Sequence, residues 1–227
     1  FDRARNHADE ETRSYHQRRG ELLTPLVKGW STENGVELCS LGIQVHGGMG
    51  FIEETGAAQY LRDARITPIY EGTTAILAND LIGRKTARDG GQGMSELLAD
   101  IEATQQELEK SNQPDLQIIA NQLGEAVAAA KEATEWLLQQ QDQGQAAASS
   151  VEYLMMNGRL VGGWMMGRIA QAANGLLGDA DADQEYAQAK ITLARYYAEH
   201  ELPKIPAGRT IIIDGAESTI SMPVSQL

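Results

Sequence analysis

A carboxylate followed by a glycine and two hydroxyl residues is a combination that could do chemistry. Glu71-Gly72-Thr73-Thr74 stands directly before an apolar helical pattern, so a helix is predicted to begin near Thr73. A glycine lets a backbone or a flat ligand approach closely. Free N–H groups and hydroxyls at a helix start can bind an anion or a carbonyl oxygen. Glu71 is therefore a candidate general base. An acidic residue there also suits the helix dipole, so residue types alone leave both interpretations open.

A second glycine turn, Gln44-Val45-His46-Gly47-Gly48, lies 27 positions before Glu71, and a short amphipathic segment joins the two. These turns, with Arg62-Asp63-Ala64-Arg65 between them, resemble the C-terminal part of the acyl-CoA dehydrogenase family. Three linked motifs at fixed spacing are more specific than one short pattern. The resemblance covers residues 20 to 90. The long helical part that follows resembles a bacterial subgroup that includes the 3-methylmercaptopropionyl-CoA dehydrogenases.

Members of this family are flavoenzymes that insert an α,β double bond into acyl-CoA thioesters. The resemblance implies that Glu71 removes the α-proton while the β-hydrogen leaves as hydride to FAD. It also implies that the backbone N–H of Glu71 helps to hold the thioester carbonyl, an oxyanion-type role. Gly72 is then expected to lie on the substrate. Electron-transfer flavoprotein is the electron acceptor that the resemblance implies.

The resemblance also implies a set of cofactor contacts. Thr73 and Thr74 are expected on the flavin, and the other turn on the FAD of a neighbouring subunit in a homo-oligomer. Ala75 stands where many family members carry Gln, so a side-chain hydrogen bond to FAD is absent there. His46 has a structural role at a helix end as its alternative, and Arg62 with Asp63 is predicted to form a structural ion pair. The residues expected to contact FAD are Gln44, Val45, His46, Gly47, Gly48, Thr73 and Thr74.

The composition restricts the classes of partner. The 227 residues carry 32 acidic and 19 basic side chains, a formal net charge of −13. Such a surface repels phosphate backbones, so nucleic acid is not expected as a partner. The single cysteine, Cys39, is predicted to be a small buried filler and fits a reducing cytoplasm. The longest apolar run, residues 160–167, is far short of the roughly 18 residues that a membrane helix needs.

The N-terminal part of the chain reads as helical. Phe1 is followed by no signal-peptide pattern, and the missing Met predicts a fragment. Residues 1–19 are charged, which predicts a solvated helix end or disorder. Thr24-Pro25 predicts the start of a helix that Gly47-Gly48 ends. Two shorter helices are predicted from Thr55 to Arg65 and from Thr73 to Arg88. The apolar face of the first helix is predicted to contain Leu26, Val27, Trp30, Asn34, Leu38, Leu41 and Val45.

The remainder of the chain is also helical by pattern. Glycines at 90 and 91 predict a boundary between a bundle domain (1–92) and a helical extension (93–227). Residues 210–213, Thr-Ile-Ile-Ile, predict a short extended piece. With no sustained strand alternation, the fold class is all-α, a helical bundle with an additional helical extension. The predicted helices of the extension run over 95–110, 114–144, 149–177 and 186–202.

No metal site is predicted. Asp179, Asp181 and Asp183 are spaced like the start of a calcium loop, but Gln184 and Lys190 occupy the positions of its Gly and Glu. The chain has no Glu-x-x-His spacing for a di-metal bundle. Two hypotheses remain: a C-terminal fragment of an acyl-CoA dehydrogenase, inactive alone because two further domains are missing, or a non-catalytic helical module that self-associates.

Overall fold

The computed structural model describes residues 1–140 and 143–226, and these residues contain helices and turns but no strand. The all-α prediction is confirmed. A π-helical stretch, Leu81–Ala87, continues the fifth helix, and short 3-10 turns lie at Glu53–Thr55 and Val224–Gln226. The α-helices are α1 (Asp2–Asn6), α2 (Glu10–Val45), α3 (Gly48–Phe51), α4 (Ala57–Ala64), α5 (Thr74–Asp80), α6 (Gln92–Glu109), α7 (Pro114–Gln139), α8 (Gln143–Ala148), α9 (Ser150–Leu176), α10 (Gln184–His200), α11 (Lys204–Asp214) and α12 (Ala216–Ser221).

Helix α2 begins much earlier than the sequence pattern predicts. The Asp9 carboxylate caps it by accepting the Thr12 N–H at 2.7 Å, so the prediction of a start at Thr24-Pro25 is wrong. Pro25 lies buried inside the helix. The first turns of α2, which the sequence pattern did not predict, contact α6 through ion pairs. Arg18 contacts Glu96 at 2.6 Å, and Arg19 contacts Asp100 at 2.8 Å. Arg18 and Arg19 therefore belong to a polar face of α2 that packs against α6, which an apolar pattern does not reveal.

The predicted apolar face of α2 is buried only in its first part. Leu26 is 1% exposed, whereas Leu38 is 66%, Leu41 51% and Val45 87% exposed. Each of these last three residues is more than half exposed, and we call their side chains the open face of α2. Exposed apolar side chains grouped on one helix face mark a surface that contacts something else.

Four further predictions of local structure need correction. Gly56 in a left-handed conformation precedes α4, and Thr55 instead donates to the Met49 carbonyl at 2.6 Å. Helix α6 follows Gly91 and begins three residues before Ser95. Residues 210–213 belong to α11, because Ile212 is fully buried and its carbonyl accepts from Ser149 Oγ at 3.0 Å. The helix predicted over 114–144 ends at Gln139, and residues 141–142 lie outside the described residues.

Helix α9 packs against α2 where both have glycines. A Cβ atom at Gly29 of α2 would lie 2.8 Å from Leu154, and one at Gly158 of α9 would lie 2.4 Å from the Cβ of Trp30. The two backbones therefore lie too close for side chains at these positions. Buried residues on both sides of the predicted 92/93 boundary belong to one continuous core, which joins the α2–α5 region firmly to the extension.

A buried tyrosine lies in this core. Tyr153 of α9 is fully buried, and its hydroxyl lies 2.9 Å from Thr134 Oγ1 of α7. Removal from water raises the pKa of Tyr153 to about 12, although the bond to Thr134 opposes the rise.

Across the described residues, no helix is both long and apolar enough to cross a membrane.

The Tyr153 environment predicts a pH dependence of stability. A folded-state pKa above the ordinary value of 10 stabilises the fold below pH 10, and this contribution is lost as the pH rises from 10 to 12. We expect Tyr153→Phe to remove a decline of about 2 kcal/mol from the free energy of unfolding in this window. Urea unfolding at a series of pH values measures it. Tyr197, whose pKa is also raised by burial, remains in both proteins. Equal pH slopes of the free energy of unfolding in the wild type and in Tyr153→Phe would contradict the expectation.

Candidate functional site

Glu71 lies in an exposed turn immediately before α5. Its φ is 53°, the one positive φ among the described non-glycine residues. A left-handed conformation costs such a residue about 1–2 kcal/mol. Within the described residues its carboxylate makes no hydrogen bond or ion pair, and its N–H has no acceptor. Both the carboxylate and the N–H are thus available to a ligand.

Gly72 and Thr73 complete the turn. Gly72 has a φ of 95°, and a Cβ atom there would have ordinary contacts, at 3.7 Å or more, with Leu77 and Ile76. Glycine is needed here for its backbone conformation and not for space. Thr73 is the N-cap residue of α5, with a φ of −66° and a ψ of 163°, and its side chain makes no capping bond. Its exposed hydroxyl is also available.

Two residues of α2 hold this turn. Lys28 Nζ donates to the Gly72 carbonyl at 2.6 Å and lies 5.7 Å from the centre of the Tyr70 ring. Thr74 Oγ1 donates to the Glu33 carboxylate. Sequence reasoning did not identify Lys28 and Glu33, because their partners lie more than forty positions away and no short motif connects them. The only signal in the sequence was that both are charged residues placed among the apolar residues of the predicted helix.

The Gln44–Gly48 turn closes α2 at its far end, and all five of its residues are exposed. His46 is the C-cap residue, whose N–H donates to the Gly42 carbonyl at 3.3 Å. Gly47 has a φ of 61°, and no atom lies within 4 Å of where its Cβ would be. The end of α2 accordingly offers an open glycine backbone beside the exposed Val45.

The structure keeps the two turns apart. Glu33, which holds the Glu71 turn, and Gln44 are eleven residues apart on one helix, so they are separated by roughly 16 Å along its axis. The Gln44–Gly48 and Glu71–Thr74 turns therefore form two separate surfaces of one molecule. This separation fits two binding sites better than one.

The other candidate residues have structural partners. Arg62 pairs with Glu53 at 2.9 Å, so the predicted pair with Asp63 is wrong. Cys39 is half-buried, and a buried filler is not what the structure shows. Asp183 caps α10 by accepting the Tyr186 N–H at 2.9 Å. In residues 1–140 and 143–226, no three His, Cys, Asp or Glu side chains form a group that could hold a metal ion.

Two family models match the chain. The model described as "Acyl-CoA dehydrogenase, C-terminal domain" matches residues 3–86, and the model described as "Acetyl-CoA dehydrogenase C-terminal like" matches residues 97–223. The chain belongs to the acyl-CoA dehydrogenase family. The Glu71–Thr74 and Gln44–Gly48 turns both lie in the first matched region, while the second comprises most of the helices that pack behind them.

Curated relatives within the family extend over most of the chain. It is 48% identical to a 3-methylmercaptopropionyl-CoA dehydrogenase of Ruegeria pomeroyi over 217 residues, which are 95% of the chain and 37% of that protein. It is 31% identical to the broad-specificity linear acyl-CoA dehydrogenase FadE5 of Mycobacterium tuberculosis, over 85% of the chain and 33% of that protein. The chain thus spans about a third of the length of these relatives.

Proposed function

We propose that this chain is the C-terminal part of a longer FAD-dependent acyl-CoA dehydrogenase and that Glu71 is its α-proton-abstracting base. The observation that carries the proposal is the Glu71 turn. An unpaired, exposed carboxylate is held in a left-handed conformation beside a free N–H, within the motif on which the family resemblance rests. The proposed division of the chain is a bundle domain over residues 1–92 and an extension over 93–227.

The reaction assigns separate roles to the two groups of Glu71. Its carboxylate accepts the α-proton of the thioester, and the electron pair of the broken C–H bond forms the new α,β double bond. Its N–H donates to the thioester carbonyl, where negative charge develops. The β-hydrogen leaves with its electron pair, and bound FAD supplies the hydride acceptor. Gly72 then lies against the substrate.

The exposed turns suit a flavin. The Gln44–Gly48 turn combines a side-chain amide, an apolar side chain and an uncovered glycine backbone, which an apolar ring with a polar edge can approach. This turn lies at the end of α2, far from the part of α2 that holds the Glu71 turn. We therefore propose that it contacts the FAD of a neighbouring subunit. Thr73 offers a free hydroxyl to the flavin beside Glu71. Thr74 donates to Glu33 and so keeps only acceptor capacity for a cofactor.

The open face of α2 supports the proposal that other parts of a longer protein, or other copies, cover this region. We expect a Leu38→Glu, Leu41→Glu double variant to leave the unfolding temperature of this chain almost unchanged, since exposed substitutions cost within about 0.5 kcal/mol. The same variant should lower the binding of a hydrophobic dye and weaken assembly of the longer protein. Unfolding scans, dye fluorescence and size-exclusion chromatography measure these effects.

Leu26→Glu is the matched control for this prediction, because it introduces the same side chain on the same helix at a position that is 1% exposed. An unpaired buried charge destabilises strongly, so this variant should unfold. If the double variant unfolds the chain as Leu26→Glu does, the open face packs within this chain and does not serve an assembly.

The rival proposal is a non-catalytic helical module that self-associates, and the same open face is compatible with it. Turnover separates the two. The decisive experiment compares acyl-CoA-dependent dye reduction by the longer protein and by its Glu71→Gln variant, which lacks the carboxylate. Use of electron-transfer flavoprotein as electron acceptor remains a prediction from the resemblance, and a cytoplasmic location remains a prediction from the single cysteine.

A further inference from the structure

The residues on both sides of Glu71 contact one cation, one through its backbone carbonyl and the other through its aromatic ring. Lys28 Nζ donates to the carbonyl of Gly72, the residue after Glu71, at 2.6 Å, and lies over the ring of Tyr70, the residue before it. Lys28 is half-buried on α2, a rigid 36-residue helix. The cation is therefore held on a fixed element while the base lies on an exposed turn.

The turn needs such support because its backbone conformation is costly. Glu71 and Gly72 have consecutive positive φ angles, 53° and 95°. A strained conformation persists only where the surroundings over-determine it. A hydrogen bond from an ammonium group is roughly twice as strong as a neutral one. The bond from Lys28 thus fixes the Gly72–Thr73 peptide, and with it the orientation of Glu71 relative to α5.

We propose that Lys28 is a positioning residue for the Glu71 carboxylate, an inference that rests on the proposed function. Lys28 acts through the backbone of the turn and is not assigned to the reacting atoms. Glu33 supports the other end of the same turn through Thr74, so α2 holds the turn at two points. The Lys28 contact is the nearer of the two to Glu71 in the chain.

The test uses the longer protein loaded with FAD and compares Lys28→Met with Lys28→Arg. We expect Lys28→Met to lower kcat about 10- to 100-fold, the scale that a base misplaced by about 1 Å produces. KM and FAD content should stay unchanged. Proton abstraction should become more rate-limiting, so the isotope effect on kcat with α-deuterated acyl-CoA should rise. Amide hydrogen exchange of Leu77, whose N–H donates to the Thr73 carbonyl at 3.0 Å, should become faster, and Lys28→Arg should restore part of kcat.

Lys110→Met, which removes an exposed lysine at the end of α6, is the control and should change none of these quantities. The proposal is overturned if Lys28→Met keeps the wild-type kcat and isotope effect. It is also overturned if FAD content, KM and unfolding temperature change together, the pattern of a purely structural residue. Lys28→Gln gives the same comparison should Lys28→Met not fold.

Failure of this inference differs from failure of the proposed function. Wild-type turnover in Glu71→Gln contradicts the proposed function and removes the basis for positioning. If the Glu71→Gln variant is inactive while the Lys28→Met variant keeps the wild-type kcat, Glu71 remains the base and only the role of Lys28 is contradicted.

Discussion

Glu71→Gln in the longer protein should lower kcat for acyl-CoA oxidation by about 10²- to 10⁴-fold, the usual contribution of a general base. The amide keeps the size of the side chain but cannot accept a proton at neutral pH. The turn should persist, because its backbone is held by Lys28 and by the Glu33–Thr74 contact. Bound FAD, measured from its visible absorbance, should therefore remain at the wild-type level.

Glu54→Gln is the matched control for this experiment. Glu54 is also exposed and lies in the 3-10 turn before α4, within the same family motif region. The same loss of charge there should leave kcat unchanged. Unchanged turnover in Glu71→Gln would support the rival helical module or another base, and loss of FAD in that variant would show that Glu71 holds the cofactor site together.

Gly158→Ala should lower the free energy of unfolding by about 3 kcal/mol, at the upper end of the cost of overpacking a core. The new methyl carbon would lie 2.4 Å from the Cβ and 2.5 Å from the Cγ of Trp30. A rotamer change can move the Cγ, but the Cβ is fixed by the backbone of α2 and stays in place. Helices α2 and α9 must separate, which opens the core between them. Urea unfolding of wild type and variant measures the loss.

Gly175→Ala provides the opposite case in the same helix. No atom lies within 4 Å of a Cβ at Gly175, and alanine is favoured over glycine in a helix by up to about 1 kcal/mol. Its effect should be neutral or stabilising. Equal effects of the two substitutions would contradict the close contact between α2 and α9.

Much of the fold follows from short-range patterns. Pro114 predicted the start of α7, because the place of a first-turn proline depends on its neighbours in the sequence. The start of α2 also has a local signal, the capping Asp9, but the apolar pattern placed the start at Thr24-Pro25. Its first turns pack through ion pairs to α6, some eighty positions away, and such partners leave no apolar stripe in the sequence.

The candidate site shows the same division. The residues of the Glu71 turn were recognisable because they form a compact motif. The residues that hold this motif were not, since Lys28 and Glu33 reach it only when α2 folds against α5. The left-handed φ of Glu71 also had no local signal, because the glycine that suits such a conformation is its neighbour. The separation of the two turns became evident only once the stretch of α2 from Glu33 to Gln44 was seen as one continuous helix.

The single α2 helix thus connects the two surfaces on which the proposal depends. Its middle holds the turn that carries the proposed base, and its end forms the turn proposed for a neighbouring cofactor. The open face begins between them at Leu38 and extends into the second turn at Val45. A longer protein that covers this face would place both turns at subunit or domain contacts.

A crystal structure of the longer protein with FAD and an unreactive acyl-CoA analogue tests the central claim most directly. The account predicts that a Glu71 carboxylate oxygen lies about 3–3.5 Å from the α-carbon of the acyl group, the separation of reacting atoms in a near-attack geometry. A bound thioester whose α-carbon faces a different residue, with the Glu71 side chain directed into solvent, would contradict it.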